Sequence, residues 1–234
     1  MKKIIIFGAN SEIVLSTCRH LLDKNSKITL IGKNKQKIEN NYKNYNNLID
    51  KIYEVDLSDL KSINNLFENN LDPINFDLVI ICQGKLEYEE ENFNSIENIF
   101  KVNTLSIILI VNLFLKIKKK NLQISVLSSV AGDRLRQSNY IYGMTKNCLN
   151  EFSSIILNRK YKSIIYQNIK PGIIRTKMTK NINSPISTSS DLCGKHICKI
   201  INTKKNGNFY VPSYWKLIMY IIRILPNIIF KKIK

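Results

Sequence analysis

Short apolar runs alternate along the chain with longer segments whose apolar residues recur every three or four positions. The short runs are Lys3–Phe7, Lys27–Ile31, Ile49–Val55, Phe76–Cys82, Leu122–Ser128, Ser163–Ile169 and Phe209–Pro212. Their length and β-branched content predict strands. Between them, Glu12–Lys24, Asn34–Tyr45, Leu60–Asn70, Ser95–Phe114, Tyr142–Leu157 and Asp191–Ile201 carry the period of helices. In the first of these, Ile13, Val14, Thr17, Leu21 and Leu22 share one face. Asn10 or Ser11 is placed to cap it, and Ser189 or Ser190 to cap the last. The basic run Lys116–Lys120 suits the C-terminus of the helix before it. Strands alternating with helices predict an α/β fold: a doubly wound parallel sheet with helices on both faces.

Composition fits that picture. A chain of 234 residues that is 44% apolar can bury one substantial core. No long Pro/Gly/Ser linker divides it, so residues 1–212 are expected to form one domain, with 213–234 as a basic, apolar tail. The apolar run after Lys2 and Lys3 is too short for a signal-peptide core. No stretch offers about 20 uninterrupted apolar residues, so no membrane span is expected. Five scattered cysteines point to reduced thiols and a cytoplasmic protein. Cys193, His196 and Cys198 lie close in sequence but lack a standard ligand spacing, and no metal is expected. Lys+Arg outnumber Asp+Glu by 36 to 18. Such a surface suits a phosphate-bearing ligand, an anionic membrane or nucleic acid. No aromatic-basic platform or groove-reading motif supports nucleic acid.

The candidate chemistry lies in Ser128–Lys146. Tyr142 and Lys146 are four residues apart and share a helix face. An ammonium beside a phenol favours the phenolate, which makes Tyr142 a usable acid/base. Ser129, at a strand end, is placed to polarise the carbonyl oxygen that Tyr142 protonates. A second Tyr-x-x-x-Lys, Tyr166–Lys170, falls in a strand-like run where that spacing brings no convergence. Upstream, the first strand, the turn Gly8-Ala9-Asn10-Ser11 and the helix opening at Glu12-Ile13 make a phosphate cradle. Lys33 follows the second strand with no acidic residue beside it, which favours a 2′-phosphate and so NADP(H) over NAD(H). Asp56, followed by Leu57, is an acceptor for an adenine amino group or a cap for Leu60–Asn70.

In order and spacing these pieces resemble the short-chain dehydrogenase/reductase family, from the first strand to about Pro212. The matching residues are Gly8–Ile13, Asp56-Leu57, Asn103, Ser128–Gly132, Tyr142-x-x-x-Lys146 and Pro171-Gly172-x-x-x-Thr176. The thirteen residues from Ser129 to Tyr142 are the family's interval and select Ser129 over Ser128. The resemblance implies a Rossmann-type fold and hydride transfer between NAD(P)(H) and a carbonyl or alcohol. It implies Tyr142 as acid/base, Ser129 on the substrate oxygen, and Lys146 on Tyr142 and the nicotinamide ribose. Asn103 would hold a water leading from Lys146 to solvent. The backbone after Pro171-Gly172, with Ile174 and Thr176, would meet the carboxamide or a phosphate. Homodimers or homotetramers are the family's usual assemblies.

Three departures stand out. Only Gly8 remains of the usual three glycines, and Glu12 would lie near the diphosphate. The family's Asn-Asn-Ala-Gly reads Ile81-Cys82-Gln83-Gly84. The tail is longer and more apolar than a generic member needs. It resembles the reductases that act with polyprenyl-phosphate sugars, the decaprenyl-phosphoryl-ribose keto-reductases among them, which also carry a Ser-acidic-Ile turn. Tyr214 and Trp215 would suit a headgroup layer and the lysines an anionic lipid. The alternatives are packing on another subunit or on the protein's own core. The expectation is an NADPH-dependent ketone reductase acting on a sugar or lipid-linked sugar, cytoplasmic or peripheral on the inner face of the membrane. A reductase of a small or acyl-carrier ketone is the alternative. An idle NADP-binding scaffold has no need of Ser129, Tyr142, Lys146 and Asn103 together.

Overall fold

A computed structural model describes residues 1–86, 92–159, 161, 163–182 and 184–230. In chain order the elements are β1 (Lys2–Phe7), α1 (Glu12–Leu21), β2 (Ser26–Gly32), α2 (Lys35–Tyr42), β3 (Ile49–Glu54), α3 (Leu60–Asn69) and β4 (Leu78–Ile81). Then come α4 (Phe93–Phe100), a π-helical turn (Lys101–Leu105), α5 (Ser106–Lys116), β5 (Leu122–Leu127), α6 (Tyr140–Asn158) and β6 (Ile164–Pro171). The chain continues through β7 (Ile174–Arg175), β8 (Thr188–Ser189), α7 (Ser190–Thr203), β9 (Gly207–Val211), α8 (Trp215–Ile224) and α9 (Asn227–Phe230). Seven strands form one parallel sheet in the order β3-β2-β1-β4-β5-β6-β9. The order reverses between β1 and β4, which opens a crevice at the strand C-termini.

The period-2 alternation of the strands decides which helices cover which face. In β1, Ile4 and Ile6 join a cluster with Val14 and Cys18 of α1, Ile38 of α2 and Ile197 of α7. Ile5 and Phe7 point the other way, to Ile63 of α3, Phe114 of α5 and Leu149 of α6. Phe7, Phe67 and Phe114 form an aromatic trio on that face, with Phe67 and Phe114 edge to face at 5.5 Å. The doubly wound parallel fold expected from the pattern is therefore observed.

Element ends differ from the pattern for local reasons. α1 stops at Leu21 because Asp23 gathers Asn25 N–H and the Ser26 hydroxyl into a turn, both at 2.9 Å. Asn34 is a cap and not part of α2, its side chain accepting from Lys37 N–H at 2.7 Å. Asp59, not Asp56, caps α3, and Ser189 caps α7. β4 is shorter than its apolar run because Phe76 ends a 3-10 turn that begins at Pro73. The expected single helix over Ser95–Phe114 runs from Phe93 to Lys116 and is broken by the π turn. This run is long and apolar enough to cross a membrane, but half of its most apolar window is buried inside the protein. The acidic stretch Glu87–Glu91 lies outside the described residues.

The tail takes a course only partly expected. Pro226 does divide it into two short helices. Trp215, assigned above to a headgroup layer, is instead wholly buried, with Met219 and Ile222 against Val130, Ile173 and Tyr210. The inner face of α8 is thus part of the protein's own core. Leu217, Tyr220, Ile221 and Ile224 form its exposed face.

Candidate active site

The residues singled out in the sequence come from distant parts of the chain and meet in one cleft of about 500 Å³ at the strand C-termini. Gly8 makes the first wall. Its φ is +83°, and a β-carbon there would lie 2.6 Å from the Gln83 amide nitrogen, so only glycine lets the turn approach β4. Gly8 and Ala9 both donate their N–H groups to the Ile31 carbonyl at 2.9 Å, which folds the turn over β2. Asn10 then joins two turns, donating to Asn34 O at 3.1 Å and accepting from Asn34 N–H at 3.3 Å. Ser11 occupies the cap position of α1 without capping it through its side chain. The first-turn amides around Glu12 and Ile13 therefore face the cleft, which suits a phosphate. The Glu12 carboxylate accepts from Lys177 N–H at 3.1 Å, so it is turned toward the segment after Thr176.

At the adenosine end, Lys33 Nζ lies 2.7 Å from Asp56 Oδ2. Burial pushes the Asp56 carboxyl up, but Lys33 and the Ser58 hydroxyl and amide outweigh it and hold it at about 2. Lys37, four residues after Lys33 in the first turn of α2, also lines this end. Sequence reasoning passed over it, since Lys33 precedes the helix and no helical spacing links the two lysines.

At the other end, β5 delivers two adjacent serines with different surroundings. The Ser128 hydroxyl is buried and donates to Asn150 Oδ1 at 2.7 Å. Ser129 Oγ accepts from Ala131 N–H at 3.1 Å, which leaves its own proton to donate. Tyr142 and Lys146 lie in the first two turns of α6, and Lys146 Nζ is 5.8 Å from the Tyr142 ring centroid. Lys146 is 3% exposed. Burial pulls its ammonium down to about 8. Burial in turn pushes the Cys82 thiol up to about 11, so it is neutral near pH 7. Leu57, Cys82, Gln83, Gly84, Pro171, Gly172, Ile174 and Thr176 also line the cleft.

Asn103 flanks Gly84 together with Lys146: a β-carbon on Gly84 would lie 3.7 Å from both Asn103 Oδ1 and Lys146 Nζ. Asn103 is fully buried at the centre of the π turn and does not line the cleft. Its side chain accepts from Lys85 N–H at 2.7 Å and donates to Lys85 O at 2.9 Å and Thr145 Oγ1 at 3.2 Å. These bonds fix the segment after Gly84 against α6. The π turn is what aims Asn103 inward. The second Tyr-x-x-x-Lys is confirmed on strand β6: Tyr166 pairs with Ser153 at 3.0 Å in the core, and Lys170 with Asp133 at 2.8 Å. Asn98, Val102 and Met178 also line the cleft and were missed. They carry no polar signature beyond their nearness to Asn103 and Thr176.

Residues 2–187 match the model of the short chain dehydrogenase family, and the chain belongs to that family. Among individual proteins, an uncharacterized oxidoreductase of Mycobacterium tuberculosis (strain CDC 1551 / Oshkosh) is 27% identical over 110 residues, 46% of this chain and 43% of that protein. The matched segment thus spans less than half the length of that relative. A short-chain dehydrogenase from Sphingobium yanoikuyae in complex with NADPH superposes with a TM-score of 0.79 at 15% identity, covering 97% of both chains. An alcohol dehydrogenase from the archaeon Thermococcus sibiricus complexed with 5-hydroxy-NADP gives 0.74 at 17%, covering 90% of this chain and 95% of that one. A 3-oxoacyl-[acyl-carrier protein] reductase from Brucella melitensis in complex with NAD gives 0.71 at 15%, covering 88% and 94%. At these identities the likeness establishes the fold.

Proposed function

We propose that the protein is an NADPH-dependent reductase of a ketone, running in reverse as an oxidant of a secondary alcohol. The observation that carries this reading is the meeting of Ser129, Tyr142 and Lys146 in the cleft that begins at the Gly8 turn. A nicotinamide cofactor, when bound, supplies or accepts the hydride. Ser129 donates its free proton to the substrate oxygen, and Tyr142 transfers its hydroxyl proton to that oxygen as negative charge develops there. Lys146, when protonated, stabilises the phenolate left behind. The first-turn amides at Glu12 and Ile13 hold the diphosphate, and Pro171–Thr176 holds the carboxamide end.

The cofactor we assign is NADP(H) in preference to NAD(H). Support comes from the two cations Lys33 and Lys37 at the adenosine end. Asp56 neutralises Lys33 here, so a 2′-phosphate must share that ammonium with it or draw on Lys37.

The substrate we assign is a sugar carried on a polyprenyl phosphate, reached from an anionic membrane surface. Support comes from the tail. Residues Ser213–Lys234 contain Lys216, Arg223, Lys231, Lys232 and Lys234 and no acidic residue. The outer faces of α8 and α9 expose Leu217 at 64%, Ile224 at 66% and Ile228 at 79%. Apolar residues beside lysines suit a bilayer interface.

Tyr142→Phe is expected to cut NADPH-driven ketone reduction by about 10²-fold or more, with NADPH binding and thermal stability retained; turnover at the native rate would sink the mechanism. Lys33→Ala should weaken NADPH by about tenfold and NADH by less than about twofold, read by fluorescence titration, and equal losses would refute the cofactor assignment. The protein should float with phosphatidylglycerol vesicles but not phosphatidylcholine vesicles, and Leu217→Glu should abolish flotation. Flotation unaffected by that change, or none with either lipid, would remove the membrane from the reading.

A further inference from the structure

The N-cap and body of helix α8 touch strand β8, Gly172 and the turn after Ser129. At its start, the Tyr214 hydroxyl donates to Ile186 O at 3.2 Å and pairs with Thr188 Oγ1 at 3.1 Å, just before and within strand β8, which pairs with β7. One residue on, the buried Trp215 indole edge lies against Gly172 so closely that no β-carbon could stand there. At its end, Arg223 Nη2 lies 2.9 Å from Asp133 Oδ1. Arg134 Nη1 donates to the carbonyls of Ile222, Arg223 and Leu225, Nη2 donates to Asn227 Oδ1 at 2.9 Å, and the guanidinium sits 4.0 Å over the Phe230 ring. The last carbonyls of a helix otherwise lack partners, and a cation there is doubly favourable.

Asp133 and Arg134 directly follow the short turn that Ser129 opens. Asp133 N–H donates to Val130 O at 3.0 Å and so closes that turn. The Asp133 carboxylate is fully buried and accepts from Lys170 at 2.8 Å, Tyr210 at 2.6 Å and Asn150 at 3.1 Å besides Arg223. Asn150 reaches on to Ser129 O at 3.5 Å and holds the Ser128 hydroxyl. A rotamer or turn held by a supporting layer of this kind moves only if the layer moves. A shift of α8 would therefore be felt at Ser129, at the Pro171-Gly172 loop and at the β7–β8 pair together.

We propose that α8 is a positioning element for the reacting groups. Arg134 latches its end to the Ser129 turn, and Trp215 and Tyr214 latch its start to Gly172 and to β8. The adenosine half of the cleft, built from β1 to β3, lies outside this linkage. The inference rests on Ser129 and Tyr142 as the reacting groups, so Tyr142→Phe is measured alongside.

The test is Arg134→Met, with Arg134→Lys as the conservative variant. Arg134→Met should lower kcat for NADPH-driven ketone reduction by about tenfold or more, since small misplacements of reacting groups cost that much. NADPH affinity should change by less than about twofold. The primary isotope effect on kcat with 4-deuterated NADPH should rise, because hydride transfer itself is slowed; a merely smaller folded fraction leaves that ratio unchanged. Arg134→Lys should recover part of kcat. Native kcat in Arg134→Met beside an inactive Tyr142→Phe would overturn the assignment of α8 alone. Turnover surviving in Tyr142→Phe would overturn the reading beneath it. If Arg134→Met does not fold, Tyr214→Phe decides, since it removes one hydroxyl: native kcat and KM for the ketone would overturn the proposal.

Discussion

Burying one ammonium constrains much of this molecule. Lys146 is 3% exposed in the second turn of α6, and burial makes it give up its proton at about pH 8. Taken against a free lysine near 10.5, that shift costs the fold about 3 kcal/mol at neutral pH. The sign follows from the depressed pKa. The cost is complete below about pH 8 and fades as pH rises toward 10.5, where the unfolded chain also loses its proton. A fold carries such a cost where chemistry needs the group.

The neighbouring architecture is what places that ammonium. The sheet order reverses between β1 and β4, and only the Gly8 turn lets the two strand ends close over the crevice. The π turn between α4 and α5 pins the Gly84–Lys85 segment to α6 through Asn103. Ser129 is set by a short turn whose far end, Asp133, is held by four donors from β6, α6, β9 and α8. The tail is thereby tied to the same site, although it lies at the other end of the chain.

Much of this was legible in the sequence because it depended on local pattern. Short apolar, β-branched runs identified the seven sheet strands, and the period of 3.6 most helices, since each element must bury apolar surface. Gly8, Ser129, Tyr142 and Lys146 were legible because their chemistry and spacing are demanding. What escaped depended on long-range partners. The π turn has no propensity signal, and Asn103 shows its bonds to Lys85 only once α4 and α6 are packed together. Trp215 read as an interfacial residue because nothing nearby in sequence names Gly172, 43 positions earlier, as its partner. The ion pair of Asp56 with Lys33 was not legible because the two lie at the ends of different strands.

The most direct measurement of whether Lys146 serves proton transfer at Tyr142 is the pH dependence of kcat/KM for NADPH in ketone reduction, which reports groups of the free enzyme. It should be level near about pH 6 to 7 and fall as pH rises through about 8, where Lys146 gives up its charge. A profile that stays level to about pH 10 would contradict a working ammonium at Lys146 and, with it, the assignment of Tyr142 as the proton donor.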